Sequence, residues 1–117
     1  MKPLLSILIL MTLTISCKHE SVVSNNACTA ADPLMVPWVK TLTATMDKSV
    51  CTESLFQATY NGQTVYYTAI TDIYCDYIPG ETLLGCEGET VKRYNSSQQQ
   101  AFANEVSVVK TLYVSKR

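Results

Sequence analysis

Asn61-Gly62 stands between two runs rich in β-branched and aromatic residues, 55–60 and 63–71. A two-residue hairpin turn needs positive φ at both positions, and Asn-Gly is the pair that tolerates it best. A turn there fixes the pairing of the runs. Tyr60 meets Gln63, Ala58 meets Val65 and Phe56 meets Tyr67. One face of the hairpin then carries Phe56, Ala58, Tyr60, Val65, Tyr67 and Ala69. The other carries Leu55, Gln57, Thr59, Thr64, Tyr66 and Thr68. The first is the more apolar and is the expected core face. The second is mixed and expected to be partly wet.

Around this hairpin the pattern predicts an α+β domain. Asp32-Pro33 reads as a short capped turn over 33–36. Pro37 opens a helix to about Asp47, in which Trp38, Leu42 and Met46 recur at four-residue spacing and Val39 widens the stripe. Residues 72–81 form a loop containing Cys75 and Pro79-Gly80. Residues 82–86 and 89–94 make a second hairpin about Glu87-Gly88. After Asn95-Ser96-Ser97, Phe102, Val106, Val109 and Tyr113 keep a helical spacing, although 108–114 is rich enough in β-formers for an edge strand. The expected architecture is a four-stranded antiparallel meander. An N-terminal helix packs on one face, where Phe56, Ala58, Val65 and Tyr67 are expected to lie under Trp38 and Leu42, and a C-terminal helix or edge strand completes the fold.

The first 16 residues have the build of an exported leader: Met1-Lys2, an apolar run over 4–15, then Ser16 before Cys17. The run is short of the ~20 apolar residues that a spanning helix needs, and it fits a cleaved signal. Ser16-Cys17 reads as a lipoprotein cleavage site, although Thr14 stands where Leu is usual and Ile15 is larger than usual. Cys17 is the expected lipidation site, carrying a diacylglycerol and a third acyl chain such as palmitate. Several chains anchor stably where one is marginal. Residues 17–31 are then expected to be a flexible tether, with 32–117 the domain. Without Lys2 the chain keeps eight basic and ten acidic residues, a net charge of −2. No basic stripe is present, which argues against nucleic acid as a partner.

Beyond Cys17 four cysteines remain, an even number in an exported chain and so two expected disulfides. None of the spacings is Cys-x-x-Cys and no histidine lies near, which argues against zinc and thioredoxin-like chemistry. In a meander, Cys51 begins the first strand and Cys75 follows the second, so both fall at one end of the sheet. Cys86 lies at the other end. Cys28 joins it there, because the helix after Cys28 runs back along the sheet. The topology thus favours Cys51–Cys75 and Cys28–Cys86 over the two other pairings.

His19, the one histidine, lies two residues from Cys17. A Ser-His-Asp or Cys-His site would have no base within the domain. No catalytic residue, metal or cofactor is expected. Asp72, Asp76 and Glu81 share a loop and offer oxygen to a cation, but they lack EF-hand spacing. Tyrosines outnumber phenylalanines seven to two. Tyr66, on the wetter hairpin face, and Tyr74 and Tyr77, in the next loop, are the candidate binding residues, since tyrosine pairs apolar area with a polar tip.

Several short motifs resemble those of small Bacteroidetes lipoproteins in a family of unknown function. They are Pro37-Trp38-Val39-Lys40, Cys51 before a strand, and the Tyr-x-Gly-x-x-Val-Tyr-Tyr of Tyr60, Gly62, Val65, Tyr66 and Tyr67. Cys75-Asp76 and the Leu83, Cys86, Glu87, Gly88 turn complete the pattern. Many of that family have Cys-Cys-Asp and a cysteine after the glycine turn, whereas Tyr74 stands first here and no cysteine follows Cys86. The resemblance implies an envelope location, in the outer membrane facing periplasm or cell surface, and brings no activity. The expected role is a membrane-anchored, non-catalytic binding or accessory module for protein or glycan. The alternative is an inhibitor of an extracellular hydrolase such as a protease or lysozyme, with the loop over 71–81 as its contact.

Overall fold

The computed structural model describes residues 24–77 and 79–116. Cys17, His19, the expected leader and the first part of the expected tether lie outside the described residues. A short 3-10 turn, Pro33–Met35, is capped by the Asp32 side chain, which accepts from the Leu34 N–H. Helix α1 follows over Pro37–Met46, with Pro37 where an N–H has no helical partner to lose. The strands are β1 Glu53–Tyr60, β2 Gln63–Ile70, β3 Thr82–Leu84 and β4 Thr90–Arg93. Helix α2 spans Gln99–Glu105 and runs directly into β5, Val106–Val114.

The described residues form one antiparallel sheet of five strands in the order β4-β3-β2-β1-β5. The meander is present, with a fifth strand added beside β1. The C-terminal segment is both helix and strand. The helical spacing of Phe102 and Val106 breaks at Glu105, where Val106, Val108, Val109 and Val114 bring β-branched crowding and β1 offers an open edge. The first hairpin has the expected register, Tyr60↔Gln63, Ala58↔Val65 and Phe56↔Tyr67. Asn61 and Gly62 take φ of 48° and 73°.

Both faces of the sheet are covered, and α1 covers the face expected to be wet. Leu55 and Tyr66 pack under α1 with Val36, Val39 and Met46, and Trp38, Leu42, Leu112 and Tyr113 lie beside them. The opposite face, with Ala58, Val65, Tyr67 and Leu83, is closed by Phe102 and Ala101 of α2 together with Tyr94 and Val106. The choice of face for α1 is therefore corrected. The Phe56 face could not attract α1, because α2 supplies its cover through Tyr67–Phe102 and Tyr94–Phe102 edge contacts at 5.0 and 5.4 Å. With two covers, Leu55 and Tyr66 of the mixed face are also interior.

The domain begins before Asp32. Ala27 is 2 % exposed and its N–H donates to the Cys86 carbonyl at 2.8 Å, and Ala30 packs on the α1 cluster. The end of the expected tether is thus part of the folded domain. Two disulfides form, Cys28–Cys86 and Cys51–Cys75, with Cα separations of 5.2 and 6.1 Å. Cys28 and Cys86 lie beside Gln63 and Thr64, at the turn end of the first hairpin. Cys51 and Cys75 bracket its other end. The two bridges thus staple opposite ends of the sheet, about 25 Å apart along the eight-residue β1.

Gly88 shows how tightly the near end is built. Its φ is 84°, and a Cβ there would fall 2.9 Å from the Trp38 ring. Trp38 Nε1 in turn donates to the Cys86 carbonyl at 3.1 Å.

Candidate functional site

The loop between β2 and β3 is held at both ends and by its middle. At its start the Thr71 N–H donates to the Thr52 carbonyl at 2.9 Å, and the Thr71 and Ser54 hydroxyls meet at 2.9 Å. Asp72 turns the chain. Its Oδ1 accepts from the Tyr74 N–H at 3.0 Å, its Oδ2 from the Thr52 N–H at 3.4 Å, and its carbonyl from the Cys75 N–H at 3.1 Å. An aspartate that bonds its own backbone two residues on is a common turn former. The Cys51–Cys75 bridge pins the middle. At the far end the Tyr94 N–H donates to the Glu81 carbonyl at 2.8 Å.

On this frame three large apolar side chains point outward, beside the polar Thr71 and Asp76. Ile73, Tyr74 and Tyr77 are 84 %, 85 % and 70 % exposed, and Val50, next to Cys51, is 83 % exposed. Large apolar groups so fully exposed, on backbone so well tied, are the least explained surface of the domain. Tyr74 and Tyr77 therefore sit where the sequence suggested.

Tyr66 does not join them. It is 1 % exposed and is the largest fully buried side chain. Its ring meets Trp38 edge-on at 5.7 Å, and its hydroxyl lies 3.7 Å from Cys28 Sγ. Burial pushes its phenol above the ordinary value. The alternation that took Tyr66 off the Phe56 face was right, but that second face is the floor of α1 rather than a wet surface.

The three acidic residues of the loop do different things. Asp72 is the turn former, Asp76 is exposed, and Glu81 turns inward and is 8 % exposed. Among the described residues no three histidine, cysteine, aspartate or glutamate side chains converge on a metal-sized site. From the sequence Glu81 is named only as a loop oxygen donor and its burial is missed, and Ile73 is not singled out. The signal for Glu81 was there: Glu81, Leu83 and Gly85 are all buried at period two, which is the inward face of β3.

A second polar cluster clamps β4 to α2. Tyr94 donates to Glu105 Oε2, which also pairs with Lys92 at 3.0 Å. Burial and then the Glu105 bond push the Tyr94 phenol up to about 12. Tyr94 and Lys92 in turn hold the Glu105 carboxyl below the usual carboxylate range. At the other edge, Asp47 accepts from the Lys116 N–H and the Tyr113 hydroxyl, both at 2.8 Å, and is held low by them in that order. These contacts join elements of the fold.

No protein-family model matches this sequence, and no curated protein or solved structure is detectably similar to it. Functional argument therefore rests on the loop and the residues around it. No described helix is long and apolar enough to cross a membrane.

Proposed function

We infer that this protein is a non-catalytic binding module of the bacterial envelope, anchored through lipid on Cys17, and that the loop between β2 and β3 is its contact surface. The observation that carries this reading is the exposure of Ile73, Tyr74 and Tyr77 on a loop held by the Cys51–Cys75 bridge. A preordered loop loses little entropy on binding, and aromatic side chains contribute most contact area per ordered torsion. Position supports it too. The described chain begins beside Cys28, at the sheet end opposite to the tyrosines. An anchor attached there would leave the loop pointing toward a partner rather than toward its own membrane. The outer membrane, the Bacteroidetes lipoprotein kinship and a protein or glycan ligand belong to the same proposal.

One observation favours a second reading within this class. A narrow braced loop with apolar side chains is the shape that enters a hydrolase cleft, so inhibition of an extracellular protease or lysozyme stands as the alternative.

The test uses the full chain expressed with and without Cys17. Cys17→Ala should abolish lipid labelling and membrane fractionation. Tyr74→Ala with Tyr77→Ala should remove specific capture of envelope protein or glycan by the purified chain and leave thermal unfolding unchanged. Retained lipid label in Cys17→Ala, or capture indifferent to both tyrosines, would overturn the reading. A panel of hydrolase inhibition assays decides for or against the inhibitor.

A further inference from the structure

Beside the exposed tyrosines the sheet leaves a gap. β3 pairs with β2 only at Tyr66↔Leu84, so the ladder stops before β2 does. The hairpin register decides which backbone groups face that gap. Tyr60↔Gln63 closes a two-residue turn and is a hydrogen-bonded pair, so Val65, Tyr67 and Ala69 bond toward β1. Thr68 and Ile70 therefore direct their N–H and C=O groups the other way. Thr82 falls opposite Thr68 without forming a ladder pair, and Ile70 lies past the end of β3. The gap is a small cavity of about 70 Å³ lined by residues 68–70 of β2 together with Cys75, Tyr77, Pro79 and Glu81.

Glu81 is the unusual member. It is 8 % exposed, yet no described cation pairs with it. Its Oε1 accepts one long bond from Gln99 Nε2 at 3.4 Å, and its Oε2 is buried without any hydrogen-bond donor. Its charge is felt by Tyr67, whose phenol is pushed up by burial first and by Glu81 second. A carboxylate held out of water with an unmatched oxygen carries an uncompensated desolvation cost. A cation entering the cavity removes that cost. The terminal torsion of glutamate is broad, so turning Oε2 toward the cavity is cheap.

We propose that this cavity is a subsite for a primary ammonium group, the lysine side chain of a protein partner that docks on Ile73, Tyr74 and Tyr77. The proposal rests on the binding-module reading and names its partner's chemistry. Ammonium has three donors and no acceptor. Glu81 and the carbonyls of Thr68 and Ile70 are acceptors on the same gap. Tyr77 and Pro79 line the apolar mouth along which a lysine stem lies. The volume suits a compact ammonium better than the planar guanidinium fork. A metal ion is disfavoured because one carboxylate is the only acid there.

The experiment is a titration of the oxidised full-length chain, followed by amide chemical shifts, with three probes: Nα-acetyl-lysine amide, its norleucine analogue and its arginine analogue. The lysine probe should give saturable shifts at Thr68, Ile70, Tyr77 and Glu81, and norleucine should give none. Glu81→Gln should weaken lysine binding at least tenfold. If Glu81→Gln unfolds, Tyr77→Ala, at an exposed site, should weaken it several-fold with the spectrum otherwise intact. No saturable shift, equal binding of norleucine, equal or tighter binding of arginine, or indifference to both variants would overturn the subsite. Partner capture that depends on Tyr74 but not on Glu81 would remove the subsite and leave the binding module standing. Capture indifferent to the tyrosines, with lysine shifts intact, would do the reverse.

Discussion

Replacing Tyr66 by alanine separates the observed sheet from the one with its faces exchanged. The side chain is 1 % exposed and packs among Val39, Met46 and Leu55 with Trp38 edge-on at 5.7 Å. Truncating a buried aromatic costs about 3–5 kcal/mol, and an edge-on aromatic pair is worth about 0.5–1.5 kcal/mol of that. The expected loss for Tyr66→Ala is thus about 4 kcal/mol. A domain of about 90 residues holds roughly 5–13 kcal/mol in all, so the variant should be close to unfolding at rest. In urea, with a slope of about 1–2 kcal/mol/M, the midpoint should fall by about 2–4 M. Far-ultraviolet circular dichroism and Trp38 fluorescence should report the same transition. Tyr66→Phe keeps the ring and loses only the contact with Cys28 Sγ, and should cost less than about 1.5 kcal/mol. Tyr74→Ala and Tyr77→Ala, at exposed positions, should stay within about 0.5 kcal/mol of the parent. A Tyr66→Ala loss below about 1 kcal/mol, with an unchanged slope, would mean that α1 does not lie on this face.

Two further outcomes follow from the staples and the clamp. Closing 24 residues, Cys51–Cys75 should contribute about 3.4 kcal/mol by loop entropy, and Cys28–Cys86, closing 58, about 4.2 kcal/mol. Paired serine variants in urea should rank in that order, with proteolysis at 71–81 rising only when Cys51 and Cys75 are removed. Tyr94 should titrate at about 12, seen as a late phenolate absorbance step that is missing from Tyr94→Phe. Its folded-state value is raised above the ordinary 10, so its contribution to stability is complete below pH 10 and is lost as pH rises through about 12. Glu105 works in the opposite sense, because its value is lowered. Its contribution is present above the ordinary carboxylate range and is lost as acid protonates it.

The local features of the fold were legible because they are set by neighbours in the chain. Asn61-Gly62 specified the turn and, through period-two alternation, every pairing of the first hairpin. Pro33 and Pro37 marked two successive starts. Which face each helix covers was not legible, because it depends on contacts distant in sequence. The Phe56 face looked like the core, and the nearest amphipathic helix, α1, was placed on it. The later helix takes that face because α2 leads straight into β5, which must reach the β1 edge. The same long-range demand ends the helical periodicity of Phe102 and Val106. β5 meets β1 with irregularities opposite Leu55/Phe56 and Gln57/Ala58. Such bulges blur the alternation by which a strand is recognised.

The candidate site shows the same division. Tyr74 and Tyr77 were readable because they fall between turn formers and beside a cysteine, in a segment with no alternation to bury them. Tyr66 was misplaced because one mixed strand face looks the same whether water or a second helix lies over it. Its burial needed one further inference: a sheet with amphipathic segments both before and after its hairpins has cover for both faces. Glu81 is the converse case. A charged residue is read as surface by default, yet it follows the period-two pattern of Leu83 and Gly85 into the interior. Where pattern and residue type disagree in this way, the pattern gives the position and the residue type gives the chemistry. In this chain both lead to the same end of the sheet, where a buried carboxylate shares a small cavity with the exposed Tyr77 of a loop fixed by a disulfide.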